Sequence, residues 1–150
     1  MSAFTLDPQL LADTIRIGDL PLSRVLLMND ARFPWLILVP RRAGAIEFLD
    51  LDRDDCMQLH AELRRAAVAL RGQFAPHKLN VAALGNVVAQ FHVHVIGRFR
   101  HDARWPQPVF GAGPALAYTA QQIQHTVSTL RAALLPLDAS ATTGPPRSAP

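Results

Sequence analysis

The residues best suited to chemistry lie in one short stretch, Gln90-Phe91-His92-Val93-His94-Val95-Ile96. In a β-strand alternate side chains share a face, so Gln90, His92 and His94 line up on one side and Phe91, Val93 and Val95 on the other. Neighbours along the polar row then lie about 7 Å apart, from a rise of about 3.3 Å per residue. Three readings fit. A half-exposed strand can carry histidine on its wet face, although Thr, Lys, Arg or Glu is the usual choice there. Two histidines on one face can share a metal ion, but a third ligand is required. No glutamate follows Val95, and the nearest candidates, His101 and Asp102, would have to fold back onto the strand. The third reading is attack on phosphorus. Neutral imidazole is a good nucleophile near pH 7, provided that its second nitrogen keeps a proton against an acceptor such as a backbone carbonyl. Polar neighbours on the same face can then bind phosphate oxygens or a leaving oxygen. This last chemistry needs no metal and no cofactor.

Such a strand must be held by a sheet and a core. Pro8 to Ala12 predicts a short helical turn. Thr14 to Ile17 and Leu22 to Met28 read as strands joined across Gly18, Asp19 and Pro21. The continuous apolar run Trp35 to Val39, stopped by Pro40, reads as a fully buried strand, and Ile46 to Leu49 as a short edge piece. The long helix is predicted over Asp52 to Gln73, with Asp54 and Asp55 at its positive end and Gly72 as the stop. Its apolar stripe contains Cys56, Leu59, Leu63, Ala66, Leu70 and Phe74, which makes Cys56 a core residue. His60 adjoins that stripe as a packed or half-exposed side chain. Leu79 to Leu84 and Gln90 to Phe99 are strand-like runs around a tight turn at Gly85-Asn86. A loop rich in proline and glycine spans Asp102 to Pro114. Thr119 then caps a second helix that points Ile123, Val127, Leu130 and Leu134 inward and ends at Pro136. His125 falls off the inward face.

Composition agrees with one folded unit. The 150 residues are 49% hydrophobic and 18% charged, which excludes whole-chain disorder. A single domain over residues 1–138 with a flexible tail over 139–150, rich in Ser, Thr, Gly, Pro and Ala, is expected. Cys56 is the only cysteine, so no internal disulfide forms, and a reducing, cytoplasmic setting fits. Net charge is +3, with Lys78 beside fourteen scattered arginines. The absence of a basic stripe argues against nucleic acid, and no apolar run is long enough for a membrane span.

The segment Gly85-Asn86-Val87-Val88-Ala89-Gln90-Phe91-His92-Val93-His94-Val95-Ile96-Gly97-Arg98 resembles the signature of the histidine triad (HIT) nucleotide hydrolases and transferases, in which three histidines alternate with hydrophobic residues. The likeness extends to Asn29-Asp30, to Ile37-Leu38-Val39-Pro40-Arg41-Arg42 and to Trp105-Pro106. The resemblance implies an α+β fold in which a mainly antiparallel five-stranded sheet carries one long helix and a C-terminal helix. It also implies a homodimer that binds a purine nucleotide or nucleotide conjugate. By position, His92 is the nucleophile that attacks an α-phosphate, His94 contacts phosphate and assists the leaving group, Asp30, beside Asn29, holds the ribose, and Asn86 meets phosphate. Arg98, with Arg100, shares the polar face as a source of positive charge, and Trp105 is a candidate to stack on a base. Departures from the family pattern are Gln90 for the first histidine, Trp35 and Ala43 where many members keep two further histidines, Val87 for a hydroxyl residue, and Gly97 for a frequent proline. The expected function is therefore a hydrolase or nucleotidyl transferase acting on dinucleoside polyphosphates or nucleoside phosphoramidates. The alternative is a nucleotide-binding regulatory module that has lost catalysis.

Overall fold

A computed structural model describes residues 3–135. Helix α1 (Pro8–Asp13) is opened by Asp7, whose carboxylate accepts the Gln9 amide, and leads into β1 (Thr14–Asp19). Strands β2 (Ser23–Met28) and β3 (Trp35–Pro40) follow, then a 3-10 turn at Phe48–Asp50, α2 (Arg53–Phe74), β4 (Lys78–Ala82), β5 (Val93–Arg98) and α3 (Ala120–Leu134). The strands form one antiparallel sheet in the order β1-β2-β3-β5-β4. This is the expected α+β architecture. Helix α3 ends at Leu134, with Leu135 extended as its C-cap; Pro136 and the tail lie outside the described residues.

The sheet divides the apolar residues by strand parity. Leu36 and Leu38 of β3 and Val95 of β5 face α2 and α3, where they meet Ala66, Leu70, Leu130 and Leu134. Trp35, Ile37 and Val39 face the other way with Ile96, Phe33, Leu10 and Val109. Both faces are covered, which is why β3 is buried at every position and reads as an unbroken apolar run. Leu70 is wholly buried, and its truncation to Ala is expected to cost about 2–5 kcal/mol.

The Thr119 cap is as expected, and Asp52, expected as the first helical residue, is the N-cap of α2. The Asp52 carboxylate accepts the Asp55 amide at 2.8 Å. Thr119 and Gln122 form a reciprocal capping box. Gly72, however, does not stop α2. The helix runs on to Phe74 and ends at Ala75 in the left-handed region (φ 48°), immediately before Pro76, whose ring cannot continue it.

Further expectations change. Residues 46–49 are no edge strand, because Asp50 draws the Ile46 and Glu47 amides onto its carboxylate and curls the segment into the 3-10 turn. Cys56 is exposed, as is His60. The buried face of α2 is rotated from the predicted stripe and includes Asp55 and Glu62. Each buried carboxylate has its own partners: the Arg42 guanidinium forks onto Asp55, and Glu62 accepts the Leu22 and Ser23 amides at 2.7 and 2.9 Å. The Gly85-Asn86 region is no tight hairpin turn, since a ten-residue excursion separates β4 from β5. Finally, β5 starts at Val93, so Gln90 lies outside the strand. At the strand's far end, Gly97 donates its amide to the Pro34 carbonyl at 2.8 Å, a bond that proline could not make. A Cβ there would come within 3.1 Å of the Pro34 ring.

Candidate active site

On the face of β5 away from α2 and α3, the sheet opens into a cavity of about 740 Å³. His92 and His94 form part of its wall, both only 5% exposed. Their rings meet edge to face with centroids 4.8 Å apart, closer than the spacing of an ideal flat strand because His92 precedes the first paired residue.

Hydrogen bonds fix what each ring can do. His92 Nδ1 lies 2.6 Å from the Gln90 carbonyl oxygen. A carbonyl only accepts, so Nδ1 carries the proton and Nε2 the lone pair. That is the state a nucleophilic imidazole requires. For His94 the logic reverses. The Trp35 indole N–H donates to its Nδ1 at 3.0 Å, and an indole nitrogen cannot accept, so His94 Nδ1 is unprotonated and the neutral ring keeps its proton on Nε2. Trp35 reaches it because Ile37 pairs with His94 across β3 and β5, leaving Trp35 as the diagonal neighbour on the same face. Burial and the neighbouring His92 hold the His94 pKa down to about 4, against a weaker opposing pull from the Leu84 carbonyl. Phe110 packs on both rings, with centroids 5.0 Å from His94 and 5.7 Å from Trp35.

The opposite wall comes from the end of β2 and the loop after it. The Asn29 side-chain Oδ1 accepts the Tyr118 backbone amide at 3.0 Å. Asp30 is buried, and its Oδ1 accepts from Arg32 N, Arg32 Nε and Leu116 N, while Oδ2 accepts Arg32 NH2 at 2.7 Å. Burial alone would raise this carboxyl, but the Arg32 fork and the amide donors hold it below the ordinary value. Asn86 lines the rim from the excursion between β4 and β5, beside the 93% exposed Val87.

Five of the predicted site residues therefore meet at one cavity: His92, His94, Asn29, Asp30 and Asn86. Three do not. The Gln90 side chain turns away to clip the N-terminal segment, its amide donating to the Thr5 carbonyl at 2.8 Å and its oxygen accepting the Asp7 amide at 2.9 Å. Arg98 is 1% exposed and forks onto Asp102, while also bonding Asn80 and the Gln107 carbonyl. Trp105 lies over the Arg98 guanidinium at 5.9 Å, away from the cavity. Arg100 is exposed just past the strand end. His101 and Asp102 do not fold back towards the histidines: Asp102 is bound to Arg98, and His101 packs near Phe99 and His77. Among the described residues no three metal-ligating side chains converge.

Sequence reading missed Asp13, Arg32 and Phe110 as cavity residues and noted Trp35 only as a departure from the family pattern. Only the Asn29-Asp30 neighbourhood of Arg32 offered a signal; the others depend on strand register and loop placement. Among the described residues no helix is long and apolar enough to cross a membrane.

A family model, the HIT domain, matches residues 10–101. Solved structures agree. A histidine triad protein from Bradyrhizobium japonicum is 49% identical over 89% of this chain and 99% of its own, with a TM-score of 0.86. A histidine triad protein from Sinorhizobium meliloti is 42% identical over 87% of this chain and 97% of its own, at 0.85. One from Marinobacter aquaeolei is 40% identical over 89% and 97%, at 0.86. No curated protein matches the chain. With the matched segment covering well over half of the sequence and both histidines on one cavity wall, the chain belongs to the HIT domain family.

Proposed function

We propose that this protein hydrolyses or transfers nucleotidyl groups through a covalent intermediate on His92. Family membership supports a nucleotide-binding, hydrolase or transferase kind of function. The observation that carries the finer reading is the Gln90 carbonyl held 2.6 Å from His92 Nδ1, which leaves the Nε2 lone pair available in a cavity large enough for a nucleotide.

In this mechanism Nε2 forms a bond to the α-phosphorus of a nucleotide conjugate, and the bond from phosphorus to the leaving group breaks with its electron pair. Water then attacks the same phosphorus, the N–P bond breaks back to Nε2, and a proton passes to solvent as the nucleoside monophosphate departs. His94 donates a hydrogen bond from Nε2–H to phosphate or leaving oxygen, and Asn86 contacts phosphate from the rim. Asp30 keeps an Oδ2 lone pair for a ribose hydroxyl, with Asn29 shaping the wall beside it. A cytoplasmic homodimer is part of the proposal. The free edge of β4 supports the dimer, since Val81 is exposed on it.

The test is to incubate the protein with adenosine phosphoramidate and with a diadenosine polyphosphate, following AMP release and the mass of the protein. A transient adduct of one nucleotidyl group, absent in His92→Asn, is expected. Nucleotide binding with neither AMP nor adduct would replace this reading with a regulatory binding module. Light scattering checks the dimer.

A further inference from the structure

Resting on the nucleotidyl-transfer reading, we propose that Trp35 is a positioning residue that locks His94 as a neutral Nε2–H donor and so selects nucleotidyl anhydrides over phosphoramidates as substrates. The geometry is one-directional. An indole N–H pointed at His94 Nδ1 from 3.0 Å occupies the lone pair that a proton would need. Protonating His94 would set two N–H groups against each other in a pocket closed by Phe110 and Trp35.

The two substrate types ask different things of His94. When His92 Nε2 attacks the α-phosphorus of an anhydride, the P–O bond breaks and the electron pair leaves on a phosphate oxygen, which is stable as an anion. A hydrogen bond to it is enough. When the broken bond is P–N, the electron pair leaves on nitrogen, and that nitrogen must gain a proton to depart as an amine. A neutral imidazole holding its only proton on Nε2 would become imidazolate by giving it up, and here Trp35 also prevents Nδ1 from taking a replacement. General acid catalysis is typically worth 10²–10⁴-fold, so its loss falls on the phosphoramidate alone.

The ionisable groups facing His94 are few. His92 lies on its own segment, Asp13 at the end of α1, and Asp30 with Arg32 across the cavity. Strand β3 contributes Trp35 and Ile37, the excursion after β4 contributes Leu84, Asn86, Val87 and Val88, and the loop after β5 contributes Val109 and Phe110, none of them ionisable. Asp30 and Arg32 are paired to each other, so no free carboxylate on that wall restores the His94 cation.

The experiment uses the full chain. Nitrogen-15 NMR of the histidine rings reports the His94 tautomer without any turnover, and an unprotonated Nδ1 with a protonated Nε2 is expected from pH 5 to 8. In parallel, kcat/KM is measured for a diadenosine polyphosphate and for adenosine phosphoramidate, in the native chain and in Trp35→Phe, which keeps a ring and removes the donor. The native chain is expected to favour the anhydride by about 100-fold or more, and Trp35→Phe to narrow that ratio at least about tenfold, with phosphoramidate turnover rising as pH falls. A protonated Nδ1, comparable turnover of both compounds by the native chain, or an unchanged ratio in folded Trp35→Phe would overturn the inference and leave the His92 mechanism standing. Turnover of neither compound removes that mechanism, and the selectivity with it, while the NMR result still reports on the lock.

Discussion

The two ends of β5 place polar side chains on the same face of one strand and treat them in opposite ways. At one end His92 and His94 each have one ring nitrogen committed, to the Gln90 carbonyl and to the Trp35 indole, and both rings border the cavity. At the other end Arg98 spends four N–H bonds on Asp102, Asn80 and the Gln107 carbonyl, and Phe33 and Trp105 cover its guanidinium. Both ends use the diagonal cross-strand neighbour, Trp35 for His94 and Asn80 for Arg98. What differs is the kind of capacity that remains: an arginine can offer only further N–H donors, whereas His92 keeps a lone pair at the cavity. A polar group turned onto protein partners organises a loop; one left with a lone pair at a cavity is equipped for chemistry.

The largest expected effect breaks the reactive end. His92→Asn should lower turnover by at least about 10³-fold while thermal unfolding stays near that of the native chain, measured by AMP release and calorimetry. Next comes the Arg98 end. Burial would raise the Asp102 carboxyl, but Arg98 and the Phe99 and Arg104 amides hold it well below the usual carboxylate range. Removing it in Asp102→Ala strands a buried guanidinium and should cost about 3–5 kcal/mol, read from the urea midpoint.

A pH series sharpens the contrast. Free imidazole titrates near 6.5 and folded His94 near about 4, so between those values the unfolded chain binds the extra proton. Stability is then full above pH 6.5 and falls by on the order of 3 kcal/mol as the pH drops towards 4. His94→Gln should lack that decline. The carboxylates of Asp30 and Asp102, both depressed, contribute their losses below pH 4 and do not mask it. The smallest effect is expected from Gln90→Ala, which releases the clip on Thr5 and Asp7. It should cost about 1 kcal/mol and speed hydrogen exchange at the Asp7 amide.

Local pattern made much of this legible. The alternation from Phe91 to Ile96 put the histidines opposite an apolar row, the unbroken Trp35–Val39 run identified the central buried strand, and Asp52 and Thr119 marked both helix starts. Long-range partners were not legible. Asp55 and Glu62 look like surface carboxylates until Arg42 and the amides after β1 are brought to them from elsewhere in the chain. Gln90 looked like a strand residue because the pattern continued through it, but the chain bends there before pairing begins. Arg98 reads as charge offered to a ligand because its partners come from a neighbouring strand and from the loop beyond its own, and Trp35 acquires a role only through the register that sets it beside His94.

Every amino acid brings a backbone oxygen, and at position 90 it is this common group, rather than anything Gln supplies, that sets the His92 ring. Substitution cannot delete it. Evolution can therefore rewrite that residue freely, trading histidine for an amide that fastens the chain's start, without disarming the imidazole two places on.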